Sequence, residues 1–202
     1  MTELLSRRSE RRTRQRAANR SAILEAARRV ALQDGAGELS LRAVAAEAGY
    51  APASVYEYFR NRAELVLALA AEDMGLLARA IREAGLGREG AGGGFAAAAK
   101  AALDIMRASG ALPAAAATLE EADAPPEAER LFNGKMIAAL TALAEAAGHG
   151  APKSRDDQAD VLLAAATLTG LAVLARAGRL KTLGLEEDAL LARLEKRFTA
   201  SV

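Results

Sequence analysis

The stretch APASVYEYFRNR, residues 51–62, gathers two tyrosines, a phenylalanine and two arginines in a chain that is only 3% aromatic. A phenol offers a hydroxyl donor on a ring that packs against sugars, and a guanidinium is a permanent cation that donates to phosphate oxygens. Tyr56 and Arg62 therefore suit the holding of a polyanion rather than the making or breaking of bonds. Residue types that catalyse are scarce. His149 is the only histidine and lies between glycines in AAGHGAPK, where a surface loop residue is the simplest reading, and there is no cysteine. Such a composition offers no thiolate, no metal-ligand set and no serine–histidine relay. The glycine-rich GREGAGGG lacks the following Lys-Ser/Thr of a phosphate-binding loop. No enzyme, metal or cofactor is expected.

Charge points the same way. The net charge of +1 is unevenly spread: residues 1–62 carry twelve arginines against seven carboxylates, and residues 63–202 carry fifteen basic residues against nineteen acidic ones. A basic amino-terminal third on a mildly acidic body fits a polyanion at one end, although a solvated tail would give the same numbers. No run of about 18 residues is both uncharged and strongly apolar, and the first residues lack the apolar core of a secretory signal. A cytoplasmic protein with no membrane partner is expected.

The elements that must position these side chains are helices. Alanine and leucine dominate and no long stretch alternates apolar with polar residues, so the chain reads as all-α. Glycine and proline divide it into about nine segments. One helix is expected over about 18–33, with Ile23, Ala27 and Val30 on one face. A short one over 41–48 has Ser40 as N-cap and Gly49 at C′. Another starts with Pro52 at N1 and ends near Phe59. Asn61 then opens a long helix to about Glu83, with Glu64 at its third position as in a capping box. Past the glycine-rich linker at 85–94, segments are expected near 95–109, 113–122, 126–147, 155–177 and 186–200, with GRLKTLG as a break.

Two short helices joined at Gly49 and preceded by a longer one make a helix-turn-helix, whose second helix enters the major groove of DNA. Leu41, Val44, Ala45 and Ala48 supply one buried face, and Val55 with Phe59 the other. Pro52, Ala53, Ser54, Tyr56 and Glu57 are left facing outward, with Arg62 one turn later.

Residues 18–66 resemble the amino-terminal domain of the TetR family of bacterial transcriptional regulators, in ILEAARRVALQDG and LSLRAVAAEAGYAPASVYEYFRNRAELV. The family's run of a small residue, an apolar residue, Tyr-x-Tyr/His-Phe, then a basic residue and an acidic-Leu pair is matched by Ser54 to Phe59, Arg62, Glu64 and Leu65. Two positions depart from it. Ala51 stands where the family usually has a Ser or Thr cap, and Glu57 places a carboxylate near the phosphates.

The resemblance implies a domain at 18–64 that binds operator DNA, behind a basic arm at 1–17, and a ligand-binding and dimerisation domain at 65–202. Ser40 and Arg42 should meet the duplex at phosphate, or in the case of Arg42 at a guanine edge. Pro52, Ala53 and Ser54 should face the bases, while Tyr56 and Arg62 hold the backbone. The arm, with six arginines in residues 7–16, either follows phosphates or the minor groove, or is a disordered tail that adds salt-dependent affinity; the second reading is favoured. A homodimer is implied, with Leu162, Ala166, Thr169, Gly170, Val173, Leu190, Leu194 and Phe198 along the contact, although part of this stripe must serve as ordinary core. Met74, Leu77, Phe95, Met106, Phe132, Met136 and Ile137 lie in the helices that would enclose an unknown small, mainly apolar effector. The function implied is a ligand-responsive regulator, most often a repressor. A helical interaction protein that has lost DNA binding is the alternative, to which Ala51 and Glu57 give some standing.

Overall fold

The computed structural model describes residues 2–85, 93–120, 124–148, 150 and 154–199. His149 and most of the glycine-rich linker lie outside them. Among the described residues ten α-helices follow one another and no strand occurs, so the fold is all-α.

The first helix, α1 (Thr2–Gln33), begins far earlier than residue 18. The arginine-rich stretch expected to be a disordered arm forms its first turns. Arginine and glutamate are good helix formers, Arg14 pairs with Glu10 one turn back at 3.9 Å, and no glycine or proline interrupts the sequence before Gly35. After a 3-10 turn at Ala36–Glu38 come α2 (Leu41–Ala48) and α3 (Pro52–Tyr56). The latter stops short of Phe59 because the N–H groups of Tyr58 and Phe59 both close on the Val55 carbonyl. Next is α4 (Arg62–Gly85), where Asn61 Oδ1 accepts from the Glu64 N–H at 2.8 Å. The Glu64 carboxylate reaches back one residue further than a capping box requires, to the Arg60 N–H.

The body consists of α5 (Gly93–Ala108), α6 (Ala111–Glu120), α7 (Pro126–Ala146), α8 (Arg155–Arg176), α9 (Arg179–Thr182) and α10 (Glu187–Thr199). Ser154 and Asp157 form a capping box at the start of α8. The single turn α9 corrects the expectation of an uninterrupted break: Gly178 and Gly184 both lie in the left-handed region, and the residues between them complete one helical turn.

Two apolar cores hold these helices together. The first joins α1, α2 and α3 to the opening half of α4, to α6 and to the start of α7 through Phe132. The second joins Leu77, Ala78 and Ile81 of α4 to α5, the end of α7, α8 and α10. Helix α4 therefore runs through both, and the seam between them falls at Asp73 and Met74.

Asp73 is buried, and its carboxylate accepts from Arg28 of α1 at 2.8 Å and from the Ser109 hydroxyl at 2.5 Å. Ser109 in turn accepts from the Leu112 N–H and so caps α6. Burial alone would lower the Arg28 pKa, but its hydrogen bond to Asp73 and the charges of Asp73 and Glu25 outweigh that and hold it above its ordinary value. Beside this node a Cβ added to Gly110 would lie 2.7 Å from the Ala31 carbonyl oxygen. Only glycine allows α6 to approach α1 this closely.

Helix α8 is long and apolar enough to cross a membrane by length and composition, although its uncharged stretch is shorter than about 18 residues. Only 22% of its apolar window is buried, and Leu162, Leu163, Val173 and Leu174 are all exposed.

Candidate nucleic-acid interface and effector cavity

The helix-turn-helix is built from local signals. Ser40 Oγ accepts from the Ala43 N–H at 3.2 Å, and Gly49 closes α2 in the left-handed conformation at φ 69°. A side chain at that φ would be strained, which is why glycine serves at this C′ position. Leu41, Val44, Ala45, Val55 and Phe59 are buried as expected, and Ala48 is half-buried. Pro52 occupies N1 of α3, and Ala51 supplies no side-chain cap.

Two long-range ties fix α3 against its neighbours. Arg16 of α1 donates to the Glu57 carbonyl at 3.1 Å and lies over the Tyr58 ring, while Asn19 donates to the Tyr58 hydroxyl at 3.0 Å. Tyr58 is thus held by α1 rather than turned outward beside Tyr56. Arg20 sits 5.0 Å from the Phe59 ring centroid, a cation–π contact under the recognition helix. Neither tie is legible in local spacing, because the partners lie about forty residues apart.

Among the residues expected at DNA, Ser40, Arg42, Pro52, Ala53 and Tyr56 are exposed, with Tyr56 at 51%. Ser40 uses an acceptor lone pair as a cap, so its hydroxyl hydrogen remains available to donate. Ser54 is half-buried. Arg62 is half-buried too, and its Nε donates to the Leu39 carbonyl at 2.9 Å. That bond ties the start of α4 to the segment entering α2, a structural duty the sequence reading did not foresee. Arg60 is occupied by Glu64 and Glu127, which hold its pKa above the ordinary value chiefly through the Glu64 hydrogen bond. Glu57 is exposed beside it.

In the body, a cavity of about 190 Å³ lies between α4, α5, α7 and α8. Met74, Leu77, Met106 and Met136 line it, as do Leu162, Ala166 and Thr169, which had been expected at a dimer contact. Three residues expected nearby lie elsewhere. Phe95 is buried against Phe198 with ring centroids 5.1 Å apart, Phe132 belongs to the first core, and Ile137 is 60% exposed. Spacing along the helices would have found residues that were missed: Leu140 and Leu143 follow Met136 at i+4 and i+7, and Ile81 follows Leu77 at i+4. Among the described residues no charged side chain lines the cavity, and the hydroxyl of Thr169 donates to the Ala165 carbonyl of its own helix.

The proposed dimer stripe also divides. Leu162, Ala166, Thr169, Gly170 and Val173 are exposed, Leu190 and Leu194 half-buried, and Phe198 buried. Phe198 is thus intramolecular core packed on Phe95, because an apolar stripe on α10 satisfies its own chain first.

Residues 23–69 match the model for the bacterial regulatory proteins of the tetR family. Among solved structures, a protein of unknown function from Rhodococcus sp. RHA1 is 27% identical, with a TM-score of 0.70 over 91% of this chain and 95% of that one. A TetR transcriptional regulator from the same organism is 17% identical, with a TM-score of 0.67 over 91% and 97%. The transcriptional regulator FadR of Bacillus subtilis in complex with stearoyl-CoA is 18% identical, with a TM-score of 0.62 over 90% and 98%. No curated protein matches the sequence. The helix-turn-helix lies inside the segment that matches the tetR family of bacterial regulatory proteins, and the chain shares its fold with a TetR transcriptional regulator over nearly its whole length.

Proposed function

We propose that the protein is a repressor that binds operator DNA as a homodimer and is released by a small, mainly apolar molecule. The observation that carries this reading is the outward display of Ser40, Arg42, Pro52, Ala53 and Tyr56 on a helix-turn-helix whose other face is buried. Phosphate contacts from Ser40, Arg42 and Tyr56 would set register, and the small Pro52 and Ala53 would let α3 approach the base edges closely. The arginines of α1 adjoin this surface, since Arg16 already touches the end of α3.

Support for self-association comes from α8. Ala159, Leu163, Ala166, Gly170, Val173 and Ala177 form one exposed stripe at spacings of four and three. Read about Leu168, the stripe mirrors itself: Ala159 against Ala177, Leu163 against Val173, Ala166 against Gly170. An isologous contact across a two-fold axis between antiparallel helices requires such self-matching. Among the described residues of its own chain nothing lies within 4 Å of a Cβ added to Gly170, so their packing gives no reason for glycine there. A glycine in mid-helix costs about 1 kcal/mol relative to alanine, and close approach of a second helix would explain its use.

The cavity supports an uncharged apolar effector, because a buried charge would find no partner on its walls. The FadR neighbour is described with stearoyl-CoA, whose acyl chain has this chemistry. At about 190 Å³ the cavity falls below the roughly 300–1,000 Å³ of common ligand sites, so a whole acyl chain would require it to expand. Helix α4 connects it to the DNA-binding end, and a coupling of about 1–3 kcal/mol would change operator affinity by about 5- to 150-fold. Footprinting of the purified protein on its own upstream DNA, across a salt series and with apolar ligands added, tests this reading. Absence of any salt-dependent protection would refute it.

A further inference from the structure

The cavity rim and the exposed stripe share residues, and we infer that the effector cavity is closed by a second copy of this chain. This rests on the homodimer proposed above. Leu162, Ala166 and Thr169 line the cavity, yet all three are exposed in the single subunit, with Leu162 at 59%. Ala166 also stands at the centre of the self-matching stripe, beside Gly170. The remaining walls come from α4, α5 and α7, where Leu77 is buried and Met74 and Met136 are half-buried. The opening that faces solvent is therefore on α8, on the surface a partner would cover.

In the antiparallel register centred on Leu168, the partner's Gly170 lies level with Ala166 and the partner's Val173 level with Leu163. A helix seated there covers Ala166 and excludes water from the rim between Leu162 and Thr169. A half-open apolar cavity leaves bound ligand partly in water, whereas a closed one desolvates it, so affinity must depend on the partner. Linkage makes the effect reciprocal: because the symmetric dimer closes two cavities, a ligand that binds each of them more tightly by a given factor strengthens the dimer by the square of that factor at saturation. The effector site then reports subunit association as well as acting on the DNA-binding end.

The test uses fluorobenzene as the probe, read by fluorine NMR, since a cavity of about 150 Å³ admits benzene. Wild-type protein is titrated at concentrations above and below its dimer dissociation constant, alongside Gly170→Glu and Met136→Trp. Gly170→Glu places a charge in the stripe without a clash inside its own subunit, and circular dichroism checks that it remains helical. We expect the dimer to bind the probe, Met136→Trp to lose it, and both diluted wild type and monomeric Gly170→Glu to bind at least tenfold more weakly. Sedimentation should show saturating fluorobenzene tightening the wild-type dimer by the square of that factor, about a hundredfold for a tenfold effect per site. Equal affinity in monomer and dimer overturns the closure while leaving the dimer and the cavity standing. A Gly170→Glu protein that remains dimeric overturns the α8 contact itself, and probe binding that survives Met136→Trp overturns the cavity assignment.

Discussion

Replacing Asp73 with alanine removes the only buried carboxylate among the described residues, and the cost can be worked from its partners. Breaking a buried ion pair by deleting one member costs about 3–5 kcal/mol. Here the stranded partner is not fully buried: the Arg28 side chain is 23% exposed and retains Glu25 and Glu72. The Ser109 hydroxyl loses its acceptor, which adds to the penalty only in so far as water cannot reach it. A loss of about 2–3 kcal/mol follows. In a chain of 202 residues each kcal/mol lowers Tm by about 2–4 °C, so thermal denaturation followed by circular dichroism should show a drop of roughly 4–12 °C. Asp73→Asn should cost less, because an amide can still accept from Arg28 and can donate to Ser109. The double-mutant cycle with Arg28→Gln should return a coupling well above the roughly 0–1 kcal/mol of an exposed pair. A Tm unchanged in Asp73→Ala, or a coupling near zero, would show that the node between α1, α4 and α6 contributes nothing.

Tyr56→Phe deletes a hydroxyl from an exposed ring, so it should leave Tm unchanged and weaken operator binding by roughly 2- to 12-fold in a DNA titration, evenly across operator variants. Arg62→Ala should instead lower Tm by roughly 2–8 °C in a thermal melt, since it removes about 1–2 kcal/mol of charge-assisted bonding to the Leu39 carbonyl; a reduced DNA affinity with unchanged Tm would restore Arg62 to a purely phosphate-facing role. Exchanging Arg7, Arg11 and Arg14, one face of the first turns of α1, for glutamine should flatten the salt dependence of DNA binding by up to about 2.7 in slope, at about 0.9 per phosphate released. An unchanged slope would mean that this end of α1 lies off the DNA.

What could be read from the sequence was whatever is decided locally. The bounds of α2, the Ser40 cap, the left-handed Gly49 and the inward pair Val55 and Phe59 all follow from residues within one or two turns of each other. The tie from Arg62 to Leu39 was not legible because its acceptor stands twenty-three residues upstream, where no periodicity points. Phe198 was misplaced because a helical stripe records that a face is buried without saying whether its own chain or another covers it. The same ambiguity put Phe95 and Phe132 beside the cavity, although both fill core. Asp73, Arg28 and Ser109 escaped notice since each is unremarkable alone, and only the meeting of three helices makes them a unit.

The passage of α4 through both cores bears on how separable the two halves are. Residues Leu65 to Ala71 are all buried in the core that holds the helix-turn-helix, and Phe132 and the alanines of α6 complete that core from the body side. A fragment cut at residue 64 would lack these walls of the core that holds Ile23, Leu24, Val55 and Phe59. The DNA-reading end is therefore not a module that could be grafted elsewhere on its own. It shares its core with α4, α6 and the start of α7, and an exchange of specificity between relatives would have to carry α4, and the surface of α6 against it, along with the recognition helix.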